Sequence, residues 1–258
     1  MRKEAEKECD SSLLEGALSV FSVLNTGSRK IECVYLREDV DARDRKIAAL
    51  LRKCEAASVP VIRRAAAFFE ERALGSSHGG VMAAVGPRSL LSAEALLKKK
   101  NAFYVYLCGI EDPYNFGYAV RSLYASGVDG IFVTPRNWLS AAGVCVRASA
   151  GATERIPFCE VEDDEALCEM AKKRGYSVVA AAQTEDAVSH VSADLSRPLL
   201  LVIGGEKRGI PARLLSCTDK RVVIAYGREV EQSLSAAAAS AVLGFEVLRQ
   251  NPKTEEMK

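Results

Sequence analysis

Histidine is scarce in this 258-residue sequence, which has only two, and none of its eight cysteines lies in a Cys-x-x-Cys pair. Structural zinc sites are built from such pairs and from histidines, so we expect no metal centre. Long apolar runs are also missing, because no stretch approaches the roughly 20 residues that a membrane-spanning helix needs. The first residues, MRKEAEKECDSS, are charged and carry no secretory hydrophobic region. We therefore expect a cytoplasmic protein with reduced, mostly buried thiols and no membrane partner.

An excess of charge of one sign is absent too, since 35 basic residues and 34 acidic residues leave a formal net charge of +1. Bulk charge therefore does not indicate a nucleic-acid partner, and an RNA-binding surface would have to come from local clusters. Two basic pairs, Arg29-Lys30 and Arg63-Arg64, and the three lysines at 98–100 are the candidates. Each of them alone is also compatible with an ordinary solvated surface.

The sequence also lacks the glycine-rich fingerprints of the common nucleotide-binding folds. Neither a Gly-x-Gly-x-x-Gly turn after a strand nor a Walker phosphate loop is present. This argues against a Rossmann-like dehydrogenase and against a methyltransferase of the ordinary open-sheet type. The composition, 48% hydrophobic and 27% charged, is that of a globular chain with a sizeable core.

Two blocks of alternating helices and strands organise the chain. The pattern predicts a small α/β domain over 11–86, a linker over 87–101 and an α/β domain with a parallel sheet over 102–250. In the first block, LLEGALSVFSVLNTG predicts one continuous helix that ends at Gly27. In the second, FYVYLCGI and PLLLVIGG are apolar throughout, as buried parallel strands are. Ligands of such sheets bind beyond the carboxyl ends of the strands.

One loop at such an end leads into the stretch EDPYNFGYAVRSLYASG, which predicts an amphipathic helix. Arg121 lies off its apolar stripe, and the residues one turn away on either side, Gly117 and Ala125, are among the smallest. An exposed arginine paired with an acidic residue at 111–112 is one interpretation, and a functional cation in a cleared groove is the other. Asn115 stands at the expected N-cap, where capping alone would explain it.

A second loop of this kind is GGEKRGIP. Gly204, Gly205 and Gly209 allow backbone to approach a ligand closely, although a tight turn between a strand and a helix is an equally open interpretation. Glu206 is compatible with a cap or a surface charge. Further along, Ser233 is predicted to cap a final helix whose first turns consist almost entirely of serine and alanine.

Taken together, these stretches resemble the SpoU-type RNA 2′-O-ribose methyltransferases of the SPOUT class. EDPYNFGYAVRSLYASG is similar to the family's Asp-Pro-x-Asn-x-Gly-x-x-x-Arg stretch, VIGGEKRGIP to its Gly-x-Glu-x-x-Gly loop, and IAYGREVEQSLSAAAASAVLGFEVL to its Ile-Pro…Ser-Leu-Asn ending. The first block resembles the family's ribosomal-protein-like substrate-binding domain. The resemblance extends over about residues 13–250.

The resemblance implies a parallel-sheet SPOUT fold with a deep trefoil knot, a small N-terminal α/β RNA-binding domain, S-adenosylmethionine as cofactor and a homodimer formed through the C-terminal domain. The RNA would be rRNA or tRNA, with rRNA favoured. The matching positions for the cofactor are Gly204, Gly205, Gly209, Ile224, Ser233, Leu234 and Ser235. For RNA binding by the N-terminal domain, we expect its densest basic pairs to be used, which are Arg29 with Lys30 and Arg63 with Arg64.

By the same resemblance, Arg121 is the catalytic arginine. A free guanidinium is a poor base, so we expect Arg121 to act with an RNA phosphate, which would orient the 2′-hydroxyl and stabilise the developing alkoxide. Asn115 and Glu206 would position it.

Three positions depart from the family pattern. Ser235 stands where the family has asparagine, Ala225 stands where proline is common, and one extra residue precedes Ser233. A serine lacks the reach and the second donor of the amide. This departure motivates an alternative function, that of a knotted RNA-binding paralogue with weak or no catalytic activity.

Overall fold

The computed structural model describes residues 12–75, 78–135 and 141–252. It divides into two compact units. The described part of the first comprises 12–89 and 141–155, and that of the second comprises 90–135 and 156–252. The segment 141–155, which lies within the range 102–250 predicted for the second domain, packs with the first unit.

The bounds of the elements are as follows. The strands are β1 (Ser12–Glu15), β2 (Arg29–Arg37), β3 (Val61–Arg64), β4 (Val81–Arg88), β5 (Phe103–Cys108), β6 (Gly130–Val133), β7 (Phe158–Glu160), β8 (Ser177–Ala181), β9 (Val188–Ser189), β10 (Leu199–Gly204) and β11 (Lys220–Val223). The helices are α1 (Ala17–Thr26), α2 (Arg45–Ala56), α3 (Ala66–Arg72), α4 (Ala93–Leu96), α5 (Pro113–Ala125), α6 (Ala142–Ala148), α7 (Asp164–Lys173), α8 (Ala212–Ser216) and α9 (Ala236–Gln250).

The first unit is built on a sheet with the strand order β1-β4-β2-β3. β4 runs antiparallel to both of its neighbours, whereas β2 and β3 are parallel. The single helix predicted from Leu13 to Gly27 is wrong at its beginning, because residues 12–15 pair with β4 as a strand. Gly16 separates the two elements with a φ of 83°, a conformation that glycine adopts without strain. α1 then ends at Gly27, as predicted.

Close packing explains why the segment 141–155 belongs to the first unit. A Cβ atom on Gly143 in α6 would lie 2.6 Å from the carbonyl oxygen of Leu13 in β1. A Cβ atom on Gly151 would lie 2.0 Å from the Ser22 hydroxyl of α1. Both approaches need glycine, and neither partner is near in the sequence. This packing depends on contacts between residues distant in the sequence, so the local sequence pattern does not predict it.

A buried cluster of charges also holds this segment. The Glu154 side chain is 0% exposed, and its Oε2 accepts hydrogen bonds from Arg29 Nε at 3.1 Å and from the Ser28 hydroxyl at 2.6 Å. Arg88 Nη1 lies 3.6 Å from the other carboxylate oxygen. Burial lowers the pKa of Arg88 to about 10, which leaves it protonated at neutral pH. One carboxylate thus compensates two buried guanidinium groups.

The second unit is built on a seven-stranded sheet with the order β7-β6-β5-β10-β8-β11-β9, in which all paired strands are parallel. The predicted α/β fold with a parallel sheet is confirmed. β5 and β10 lie side by side at its centre, with Gly204 in register with Cys108. The loops that follow these two strands therefore leave the same edge of the sheet. Three short elements, β7, β9 and α8, were not predicted.

The C-terminal helix α9 packs against α5. A Cβ atom on Gly244 would lie 2.6 Å from the Ser126 hydroxyl, directly after α5. None of the helices within the described ranges is long and apolar enough to cross a bilayer.

The Glu154 cluster yields a stability prediction. Glu154→Gln removes the negative charge that Arg29 and Arg88 share, and it should lower the free energy of unfolding by roughly 3–5 kcal/mol. Urea denaturation followed by circular dichroism measures this change. The matched control is Glu169→Gln, which breaks the exposed ion pair with Lys173 in α7 and should have little effect. Equal midpoints for the two variants would contradict a structural role for the cluster.

Candidate functional site

A cavity of about 890 Å³ lies beyond the carboxyl ends of β8, β10 and β11 in the second unit. Of the residues predicted from the sequence, its lining includes Gly204, Gly205, Glu206, Gly209, Ile224, Ser233 and Leu234. The position agrees with the rule for parallel sheets, and the volume lies in the usual range of small-molecule sites.

The glycine-rich loop is shaped by backbone contacts. A Cβ atom on Gly205 would lie 2.1 Å from the carbonyl oxygen of Gly109, and one on Gly204 would lie 2.5 Å from the carbonyl carbon of Gly209. The Gly205 amide also donates to the Cys108 carbonyl at 2.8 Å. A side chain at Gly205 would separate the two loops, and one at Gly204 would open the turn to Gly209. The cavity wall here consists of main chain, so a ligand can approach it closely.

Glu206 connects this loop to the C-terminal helix. Its Oε1 accepts a hydrogen bond from the Ala236 amide, the first residue of α9, at 2.9 Å. The predicted cap Ser233 is wrong, since the N-cap is Ser235, whose hydroxyl accepts from the Ala238 amide at 3.2 Å. The helix begins at Ala236 instead of directly after Ser233. Ser235 itself does not belong to the lining of the cavity.

Two contacts that the sequence did not suggest hold the segment 224–234. The Tyr226 hydroxyl accepts a hydrogen bond from the Leu234 amide at 3.0 Å. His190 Nδ1 accepts a hydrogen bond from the Ala225 amide at 3.4 Å. The lining also includes Ala181, Ala182 and Gln183 at the end of β8. Their only signal in the sequence was their place after an apolar strand.

A polar network holds the loop that follows β5. The Gly109 amide donates to Thr134 Oγ1 at 3.2 Å, and the Tyr106 hydroxyl donates to Asp164 Oδ1 at 2.6 Å. Burial, together with the bond to Asp164, raises the pKa of Tyr106. Burial also raises the pKa of the Cys108 thiol. Both groups therefore stay protonated at neutral pH, and they support the loop rather than supply a base or a nucleophile.

Arg121 and Asn115 lie on α5, and neither lines the cavity of its own chain. The expected N-cap role of Asn115 is wrong: Asp112 is the N-cap, and its Oδ1 accepts the Asn115 amide at 2.7 Å. Arg121 is exposed and forms no hydrogen bond or ion pair within the described part of the chain. Glu111 pairs instead with Lys207 at 2.7 Å. The interpretation of Arg121 as half of a surface ion pair is therefore wrong.

The four basic residues assigned to RNA lie in different environments. Arg29 is buried against Glu154, so its place in a phosphate-binding surface must be corrected. Arg63 is exposed, but its Nη1 donates to three backbone carbonyls, those of Arg37, Glu38 and Val40. Lys30 and Arg64 are exposed. The described residues contain no group of three or more histidine, cysteine or acidic side chains placed to hold a metal ion.

Fold and site together define an α/β protein with a ligand cavity at the carboxyl edge of a parallel sheet. The model of the SpoU rRNA Methylase family matches residues 102–245. The 23S rRNA (guanosine-2′-O-)-methyltransferase RlmB of Shewanella oneidensis is 28% identical over 211 residues, which cover 80% of this chain and 85% of that protein. A protein of Staphylococcus saprophyticus assigned to the TrmH family of tRNA/rRNA methyltransferases is 30% identical, over 68% of this chain and 72% of that protein.

Solved structures show the same fold. The AdoMet-bound rRNA methyltransferase of Sinorhizobium meliloti is superimposed with a TM-score of 0.80 at 22% identity, over 98% of this chain and 92% of that one. The SpoU methyltransferase AviRb of Streptomyces viridochromogenes, in complex with AdoMet, gives a TM-score of 0.78 at 19% identity, over 96% and 94% of the two chains.

The chain belongs to the SpoU rRNA Methylase family. It is an RNA methyltransferase.

The contact between the two loops can be tested at Gly205. Gly205→Ala should lower the free energy of unfolding by about 1–3 kcal/mol or more, because the new methyl group would overlap the Gly109 carbonyl. It should also weaken S-adenosylmethionine binding in calorimetry. Gly227→Ala is the matched control, since a Cβ atom there has no neighbour within 4 Å. Wild-type stability and affinity in Gly205→Ala would refute the contact.

Proposed function

We propose that this chain methylates a ribose 2′-hydroxyl in ribosomal RNA and that S-adenosylmethionine binds in the 890 Å³ cavity. The observation that carries the proposal is the cavity wall of bare main chain at Gly204 and Gly205. The choice of rRNA is supported by the name of the Shewanella relative, of which this chain covers 85%. We also propose that the second unit contains the deep trefoil knot implied by the family resemblance.

The cavity suits the cofactor chemically. Apolar side chains such as Ile210, Leu215 and Leu234 offer a surface for the adenine ring. Backbone groups at Gly204 and Ile224 would provide the polar contacts, since the Gly205 amide and carbonyl are engaged with Cys108 and Gly209. When bound, the cofactor supplies an activated methyl group.

We assign the charge-stabilising role to Arg121. Its guanidinium is exposed on α5 and has no partner within the described chain, so its full hydrogen-bonding capacity is open to RNA. Asn115 lies about one and a half turns before it on the same helix. Glu206 would act indirectly, since its carboxylate holds the start of α9 against the glycine loop.

A homodimer would bring these parts together. Tyr114, Tyr118 and Tyr124 of α5 are exposed, as is Phe245 of α9, the helix that packs on α5. Exposed aromatic side chains on adjacent helices are typical of an interface. Since Arg121 lies among them and outside the cavity of its own chain, we propose that it serves the cavity of the partner subunit.

The function is tested with purified bacterial 23S rRNA and S-adenosylmethionine, followed by mass spectrometry of nucleosides. The expected product is a new 2′-O-methylnucleoside at one position. Binding of both cofactor and RNA without methyl transfer would instead support the alternative of a non-catalytic RNA-binding protein, which the serine at position 235 motivated.

The role of Arg121 predicts a selective loss of turnover. Arg121→Ala should retain fold and cofactor affinity and lower the single-turnover rate by about 10²–10³, the usual effect of removing one preorganised donor. Arg121→Lys should recover little, because an ammonium group lacks the planar fork of a guanidinium. A wild-type rate in folded Arg121→Ala would end this assignment.

Action across the dimer predicts complementation. Arg121→Ala chains are mixed with Ala239→Phe chains, in which the new ring fills the cavity. Each homodimer should be inactive, and the equilibrated mixture should reach about a quarter of wild-type activity, since half of the dimers are mixed and each has one intact site. No recovery, with mixed dimers verified by native mass spectrometry, would place Arg121 and the cavity in the same chain.

A further inference from the structure

The first unit contains a second cavity, of about 480 Å³. Gly16, Leu18, Ser19, Lys46, His78 and Arg147 are among its lining residues. None of them belongs to the catalytic, cofactor-binding or RNA-binding residues predicted above.

The N-terminus of α1 opens into this cavity. Gly16, the N-cap, has no side chain that could accept the first amides, and no side-chain cap is formed. The Val20 amide is the first to bond within the helix, to the Gly16 carbonyl at 3.2 Å. The amides of the first turn and the positive end of the helix dipole therefore face a space bounded by residues 16–19.

Two buried donors independently point to a ligand. Ser19 is 5% exposed, and its hydroxyl has no hydrogen-bond partner within the described ranges. His78 is 8% exposed and stacks on Phe69. Its Nδ1 accepts the Gly80 amide at 3.0 Å, so a neutral ring carries its proton on Nε2, for which the described chain offers no acceptor. Buried polar groups normally have partners, and these two line an open cavity instead.

The acidic residues at the cavity wall are already engaged. Glu15 accepts hydrogen bonds from the Leu74 amide and from Arg147, the latter at 3.2 Å. Asp44 Oδ1 accepts the amides of Lys46 and Ile47 at 2.9 and 3.1 Å. The Lys46 ammonium and the Arg147 guanidinium balance the charges of these two carboxylates, so the wall as a whole does not repel an anion.

We propose that this cavity is a phosphate-binding site and that it holds a backbone phosphate of the RNA substrate. Helix amides, a hydroxyl and an imidazole N–H are the donors that proteins use for phosphate oxygens. The assignment of this phosphate to RNA rests on the proposed function. The ability of the site to bind a phosphate does not.

Ser19→Ala separates binding from structure. An unpartnered buried hydroxyl contributes nothing to stability, so its removal should leave the melting temperature unchanged or raise it. If the hydroxyl donates to a phosphate, 23S rRNA affinity should fall about tenfold, since bonds to charged groups are worth about 1.5 kcal/mol or more. A lower melting temperature with unchanged RNA affinity would show a structural hydroxyl and overturn the proposal.

A second experiment compares a charged and a neutral substitution at Leu18. Leu18 is exposed at the second position of α1, where glutamate favours the helix. Leu18→Glu should fold normally and bind RNA several-fold more weakly than Leu18→Gln. The slope of log affinity against log salt concentration should fall by about the amount that one phosphate contact contributes. Ala56→Glu adds the same charge at the exposed end of α2, outside the cavity, and should match wild type. Equal affinities for Leu18→Glu and Leu18→Gln would refute the site.

Inorganic phosphate distinguishes the two sources. Titration of wild type should show millimolar binding that Leu18→Glu abolishes and that 23S rRNA displaces. Phosphate binding that RNA does not displace would assign the cavity to a free anion and overturn the RNA assignment. The proposed function is tested separately with the same RNA. It fails if the wild-type protein produces no 2′-O-methylation, whatever the result of the phosphate titration.

Discussion

The close approach of Gly205 to the Gly109 carbonyl is the constraint on which the candidate site depends. Because β5 and β10 are neighbours in register, the two loops leave the same edge of the sheet and touch through main chain. Only glycine permits the distance. From this contact, Lys207 reaches Glu111 and Glu206 reaches the first amide of α9, so one backbone contact positions both the cavity wall and the helix that closes it.

The central sheet was predictable because its strands are long apolar runs, and parallel strands buried on both faces have that composition. The strands β7 and β9 were not, since two or three residues are too few to show a period, and β1 was read as the beginning of the helix that follows it. The assignment of 141–155 to the first unit was beyond the sequence for a related reason. It depends on Gly143 and Gly151 meeting backbone and hydroxyl groups of elements more than a hundred residues away.

The candidate site was predictable where chemistry is carried by residue type, as at the glycine loop, and not where it depends on surroundings. Arg29 illustrates the limit. In the sequence it is half of a basic pair, but Glu154, distant along the chain, is buried against it and removes it from any RNA surface. Likewise Asp112, and not Asn115, caps α5, because either residue type satisfies an N-cap and only the backbone decides which one reaches the free amides.

The two cavities differ in what their walls leave unsatisfied, and this difference argues for two kinds of ligand. The wall of the larger one combines main chain, apolar side chains and charges of both signs, Arg208 and Arg228 beside Glu229 and Glu231. Such a wall suits a mixed ligand with apolar and polar parts. In the smaller one both oxygens of the Glu15 carboxylate are engaged, and the first amides of α1 remain open, so an anion would complete the hydrogen bonding there. Each unit thus has a site whose chemistry follows from the groups that its own packing does not use.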